Sequence, residues 1–125
     1  MNNRVLIVED CHIQSTVVKK MLESENFVVT AVCRSGEEVL NQLKVDVPDI
    51  ILMDIFINGN INGIETMRLV RETHTMPVIF ITALTKSELH DEALSLAPSD
   101  LLTKPISKVD LLNAITKLLD QVVEA

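Results

Sequence analysis

The architecture follows from six residues, Asp49-Ile50-Ile51-Leu52-Met53-Asp54. Four consecutive apolar residues behind a Pro48-Asp49 turn signal cannot alternate between core and solvent. They predict a strand buried on both faces, the habit of a parallel sheet. Asp54 closes that strand. A carboxylate directly after a buried run either sits in the core at a large energetic cost or stands at the rim, where open α/β sheets bind ligands. The residues at the other strand ends favour the second.

On the carboxyl side, residues 57–63 are rich in Asn and Gly, which accept positive φ, and predict a loop over the strand's end. Asn62 with Glu65 caps a third helix carrying Met67 and Val70, which ends before Met76-Pro77. Val78-Ile79-Phe80-Ile81 reads as another fully apolar strand, closed by Thr82. Thr85 and Glu88 form a capping box for a fourth helix through Leu89, Ala93 and Leu96, terminated by Pro98. Asp100 to Thr103 is a short fifth strand ending at Lys104-Pro105. Ser107 and Asp110 cap a last helix with Leu111, Ile115, Leu118 and Val122 on one side.

On the amino side, Arg4 to Val8 is an apolar run ending in Glu9-Asp10, followed by helical spacing with Ile13, Val17 and Met21 on one face. Asn26 stops that helix and Phe27 to Val32 begins a second strand. Ser35 with Glu38 then caps a helix carrying Val39, Leu40 and Leu43. Five strands alternating with five helices predict an α/β fold, a doubly wound parallel sheet covered on both faces. No repeat, linker or low-complexity segment divides residues 1–125, so one domain is expected.

Composition narrows the function. The chain has 125 residues, 47% apolar and 23% charged, enough for a single two-sided core. A formal net charge of −7 without a Lys/Arg cluster disfavours nucleic acid and anionic membranes as direct partners. The longest apolar run falls far short of the ~20 residues a membrane span needs, and no leader pattern precedes the first strand, so a cytoplasmic protein is expected. Cys11 and Cys33 suit two reduced thiols better than a disulfide or a zinc site. Phe27, Phe56 and Phe80 are the whole aromatic set, which makes base or sugar stacking a poor expectation.

The predicted strand ends form a set. The first strand delivers Glu9 and Asp10 to the rim, the third Asp54, the fourth Thr82 and the fifth Lys104. Crowded carboxylates need cations, because mutual repulsion raises their proton affinity. Lys104 and a hard divalent ion would supply them. Mg²⁺ takes oxygen ligands and is usually held by one or two carboxylates plus phosphate, which suits Asp10 and Asp54 as direct ligands and Glu9 directly or through water. The ammonium and the Thr82 hydroxyl are then available to an incoming anion. A metal, a lysine and a hydroxyl around one carboxylate are what phosphoryl transfer requires, with Asp54 as the expected nucleophile forming an acyl phosphate.

Taken singly, each residue has a plainer reading. Asp54 could cap a helix, Glu9-Asp10 could favour a helix start through the macrodipole, Thr82 could be an ordinary strand end and Lys104 a solvated loop lysine. The combination is what displaces those readings. His12, His74 and His90 show no metal spacing and are expected on exposed helix positions. Met53, Met67 and Met76 are expected as core or near-core filler. Cys11 beside two acids is expected to show little reactivity.

Together, "VLIVED", "DIILMD", "NGIE", "PVIFITA" and "LLTKP" resemble the receiver domain of bacterial response regulators in two-component signalling, over the whole chain. The resemblance implies a flavodoxin-like fold with strand order 2-1-3-4-5. It implies that Asp54 accepts a phosphoryl group from a histidine kinase phosphohistidine or a phosphotransfer protein, and that Glu9, Asp10, Asp54 and the Phe56 carbonyl hold Mg²⁺. Thr82 and the Ala83 amide would bind phosphate oxygens, Lys104 would pair with the phosphate, and the Lys104-Pro105 bond would be cis. An output domain or protein would read the fourth helix, fifth strand and fifth helix, a face through which homodimers could also form.

Four positions depart from the family pattern. The loop after Asp54 is one residue longer than is common and carries Asn58 where proline is frequent. Leu101 stands where many receivers carry a switching Tyr or Phe, and Ala97-Pro98 replaces a frequent Gly-Ala pair. Phe56 and Leu84, each two residues past a reactive position, are apolar and bulky, so slow loss of the phosphoryl group is expected. Of the rival readings, an aspartate-nucleophile phosphatase needs Asp-x-Asp and finds Phe56 at the second acid. A pseudo-receiver docking surface does not require the complete acidic set with Thr82 and Lys104. A flavin module needs a Ser/Thr/Gly phosphate cradle after the first strand, which is missing.

Overall fold

In the computed structural model, which describes residues 2–83 and 87–124, the apolar run becomes β3, Ile50–Asp54, and every residue of it is buried. It lies between β1, Arg4–Val8, and β4, Val78–Thr82, and is parallel to both. β2, Val28–Cys33, borders β1, and β5, Ser99–Thr103, borders β4. The sheet order is therefore β2-β1-β3-β4-β5, the predicted doubly wound arrangement.

Period-two alternation along the strands sorts the core into two layers. Leu6, Val8, Ile51, Met53 and Phe80 face α2 (Gly36–Val45), α3 (Gly63–Val70) and α4 (Ser87–Leu94), packing on Val39, Ile64, Met67, Val70 and Ala93. Val5, Ile7, Leu52, Ile79 and Ile81 face α1 (His12–Glu23) and α5 (Lys108–Glu124), packing on Leu22, Leu111, Ile115 and Leu118. Met53 and Met67 are core residues, while Met76 is partly buried against the first layer.

Local signals act as their chemistry suggests. Asn62 and Glu65 form a complete capping box at α3, with Glu65 N donating to Asn62 Oδ1 at 2.8 Å and Asn62 N to Glu65 Oε1 at 2.9 Å. At α2, Ser35 Oγ accepts from Glu38 N at 3.2 Å, but the Glu38 carboxylate turns back to Arg34 N instead of Ser35 N. Asn26 adopts φ 67° beyond α1, and Asp110 N, in the first turn of α5, donates to Ser107 Oγ at 3.0 Å. The Thr85 half of the fourth box lies outside the described residues.

Three expectations are corrected. α4 stops at Leu94, ahead of Pro98, and Leu96 is buried from the following turn. The α1 face carrying Ile13 and Val17 is not core: Ile13 is 73% exposed, and the buried residues of α1 are Ser15 and Leu22. Spacing alone identified an apolar stripe but not what covers it. His12 and His90 are exposed, whereas His74 is half-buried in the turn after α3 and not on a helix. Both the Lys104-Pro105 and the Ala97-Pro98 bonds are cis.

The α3–α4 side is tied by two arginines. Arg68 pairs with Glu92 at 3.0 Å on the surface. Arg71, at the carboxyl end of α3, donates from Nε to Leu96 O at 2.9 Å, from Nη2 to Pro98 O at 3.2 Å and from Nη1 to His74 O at 3.4 Å. Burial pushes its guanidinium pKa down.

Candidate functional site

The carboxyl ends of β1, β3, β4 and β5 meet at one rim. Hydrogen bonds along it hold the register: Glu9 N to Cys33 O at 2.9 Å, Ile55 N to Ile81 O at 3.0 Å, and Lys104 N to Thr82 O at 2.8 Å. Asp54 and Glu9 are buried, 6% and 8% exposed, and Asp10 is half-buried. Thr82 is fully buried at the end of β4, and Ala83 beyond it is exposed.

Lys104 organises the acids. Its Nζ donates to Asp54 Oδ2 at 2.8 Å, to Glu9 Oε1 at 3.1 Å and to Gln14 Oε1 at 2.6 Å. The remaining oxygens are also occupied: Phe56 N donates to Asp54 Oδ1 and Cys11 N to Glu9 Oε2, each at 3.2 Å. Glu9, Asp54 and Lys104 thus meet on one patch of the rim, with Thr82 brought beside Lys104 through the main chain.

Electrostatics follow burial. Desolvation pushes the Glu9 carboxyl above its ordinary pKa, and the neighbouring Asp54 adds to this, against the lowering by the Cys11 amide and Lys104. For Lys104, desolvation works against the charge, but hydrogen bonds to Asp54 and Glu9 and their charges outweigh it, so its pKa is raised. Carboxylate oxygens of Glu9, Asp10 and Asp54 lie within 4.8 Å of one another. Three hard oxygen donors this close together are a donor set that fits a small divalent cation.

The loop after Asp54 is anchored at both ends. Gly63 N donates to Ile55 O at 2.8 Å, and a Cβ on Gly63 would meet Met53 Cγ at 2.8 Å and come closer still to the Asp54 carbonyl oxygen. Further out, Asn58 bridges to Ser35, and Asn60 N donates to Glu37 Oε1 at 3.1 Å. Gly59 has φ 106°, a backbone state that L side chains rarely adopt. These contacts clasp the loop onto the start of α2. Phe56, in the same loop, is 52% exposed, and Leu84 lies outside the described residues.

Two features escaped the sequence reading. Gln14 carries no motif, and its signal is positional: it lies in the first turn of α1, next to Ile13 on the stripe that the core leaves uncovered. That stripe lines a cavity of about 430 Å³ beside the rim, with Val17, Val18, Met21, Pro105 and Ile106 in its wall and Glu9, Asp54, Lys104 and Gln14 among its polar lining.

Five parallel strands in this order, with acids, a hydroxyl and a lysine gathered at one rim, define a flavodoxin-like signalling domain of the receiver class. The family model for the response regulator receiver domain matches residues 5–116, and the chain belongs to that family, whose role is phosphoacceptance. It is similar to the transcriptional regulatory protein CpxR of Escherichia coli, 34% identical over 94% of this chain and 49% of that protein. The chain therefore spans about half the length of that relative. Protein CcdB of Bacillus subtilis is 27% identical over 93% of this chain and 97% of its own. Among solved structures, the response regulator domain of Thermotoga maritima CheB superposes with a TM-score of 0.86 at 30% identity, covering 96% and 98% of the two chains. No helix among the described residues is long and apolar enough to cross a membrane.

Proposed function

We propose that residues 1–125 act as one cytoplasmic receiver domain in which Asp54 takes a phosphoryl group from the phosphohistidine of a histidine kinase or phosphotransfer protein. A carboxylate oxygen of Asp54 attacks phosphorus in line, the O–P bond forms as the P–N bond breaks, and the imidazole leaves with the electron pair. The observation that carries the reading is the 2.8 Å contact from Lys104 Nζ to Asp54 Oδ2, which aims a fixed cation at the acceptor carboxylate.

Glu9, Asp10, Asp54 and the Phe56 carbonyl would hold Mg²⁺, which supplies charge neutralisation for the phosphoryl oxygens. Lys104 then follows the new charge onto a phosphate oxygen, and the Thr82 hydroxyl and Ala83 amide donate to the others. Drawing in Thr82, at the end of β4, biases the adjoining α4–β5–α5 face between two states, which an output domain or protein reads. Homodimerisation would use the same face. The domain signals and does not turn over an external substrate; it contacts neither nucleic acid nor membrane itself. Bulky Phe56 and Leu84 give the acyl phosphate a long lifetime.

Incubation with acetyl phosphate and Mg²⁺, followed by intact mass, tests the reading. Wild type gains one phosphoryl group and Asp54→Asn gains none. A gain that survives the substitution places the nucleophile elsewhere.

A further inference from the structure

Lys104 Nζ carries three protons and has three acceptors: Asp54 Oδ2, Glu9 Oε1 and Gln14 Oε1 at 2.6 Å, the shortest of the set. An ammonium has no acceptor capacity, so the Gln14 amide must turn its oxygen toward it. Two of these acceptors belong to the acidic cluster, whose oxygens are the donors available to a divalent ion. A cation arriving there repels the ammonium and competes for the same carboxylates. Gln14 is neutral and stands on α1, outside the acidic cluster. Its bond to Lys104 is the one that such competition leaves intact.

We propose that Gln14 is a positioning residue for Lys104: its side-chain oxygen keeps the ammonium beside Asp54 when Glu9 and Asp54 turn to a divalent ion or an incoming phosphoryl group. This rests on the phosphoacceptor reading above. Gln14 is not among the clustered acids, and it is exposed, with its Lys104 bond the one side-chain hydrogen bond it makes among the described residues. Removing its acceptor therefore leaves the core untouched.

The test uses Gln14→Met, which keeps length and loses the carbonyl, and Gln14→Glu, which keeps an oxygen acceptor. In Mg²⁺-free buffer, NMR of the ¹⁵N-labelled lysine ammonium groups reads hydrogen exchange at Lys104 Nζ. A charge-assisted hydrogen bond, discounted for exposure, predicts exchange about tenfold faster in Gln14→Met. Gln14→Glu restores wild-type protection. At saturating Mg²⁺, Gln14→Met takes phosphate from acetyl phosphate about tenfold more slowly by intact mass, while its Mg²⁺ affinity by calorimetry stays within about twofold of wild type. Unchanged exchange with an unchanged rate overturns the proposal, as does a loss of Mg²⁺ affinity that accounts for the slower rate. A wild type that gains no phosphoryl group overturns the phosphoacceptor reading instead, and the exchange measurement then still decides whether Gln14 holds Lys104.

Discussion

Gly63→Ala probes how closely α3 is pressed onto the acceptor strand. The added methyl would lie 2.8 Å from Met53 Cγ and 3.0 Å from Ile55 Cα, where carbon atoms prefer about 3.5–4.0 Å. Two of the three nearest atoms are backbone of residues 54 and 55, so the conflict is not relieved by rotating a side chain. The start of α3 must retreat by roughly 1 Å, loosening the Gly63 N to Ile55 O bond of 2.8 Å. Overpacking costs about 1–3 kcal/mol and the weakened hydrogen bond about 1 kcal/mol. The smaller entropy of the unfolded alanine chain returns about 0.5 kcal/mol, leaving a net loss of about 1.5–3.5 kcal/mol. For a domain of this size that lowers the melting temperature by about 10 °C. Circular dichroism melts in Mg²⁺-free buffer measure it. Gly59→Ala is the control: its Cβ would meet the flexible Glu37 carboxylate, so backbone strain at φ 106° alone predicts about 1–2 kcal/mol. A Gly63→Ala protein melting within about 2 °C of wild type would refute the close-approach argument.

Three further outcomes are expected. Arg71→Ala leaves the Leu96 and Pro98 carbonyls without their guanidinium donor and should cost about 2 kcal/mol in urea titration with an unchanged slope, and Arg71→Lys should recover less than half of it. The folded pKa of Glu9 is raised, so its contribution favours folding at acid pH and is lost as pH climbs through that value. Glu9→Gln should accordingly melt above wild type at neutral pH in chelator, and a lower melting point there would contradict the assigned electrostatics. Burial pushes the Cys33 thiol up from 9.0 to about 11, so its contribution is complete below pH 9.0 and fades as pH passes about 11, about 3 kcal/mol in all. Without Tyr or Trp in the chain, ultraviolet thiolate absorbance reads this directly, and a Cys33 thiolate forming near pH 9 in the folded protein would overturn it.

The fold was legible because unbroken apolar runs such as Ile50–Met53 and Val78–Ile81 leave few alternatives to buried parallel strands. The rim was legible because Glu9, Asp54 and Thr82 each follow such a run, Lys104 follows the short strand Asp100 to Thr103, and parallel strands must deliver their carboxyl ends to one edge. What periodicity lacks is the identity of the covering surface. Ile13 and Val17 have core spacing yet line an open cavity, since the stripe says that a face is apolar and not what meets it. Gln14 and Arg71 were invisible for a related reason. Their roles arise from long side chains reaching partners 90 and 25–27 residues away, which no local pattern encodes.

Asp54 ends a strand that is flanked on both sides and sealed on both faces. Amides along such a strand exchange with solvent through whole-domain opening, the rarest event the chain undergoes, while the outer strands β2 and β5 can fray first. Under the proposed function, a phosphoryl mark written there would be carried by the last part of the molecule to breathe. Its persistence would then depend on water reaching the rim and on the side chains standing over it, rather than on loosening of the scaffold beneath.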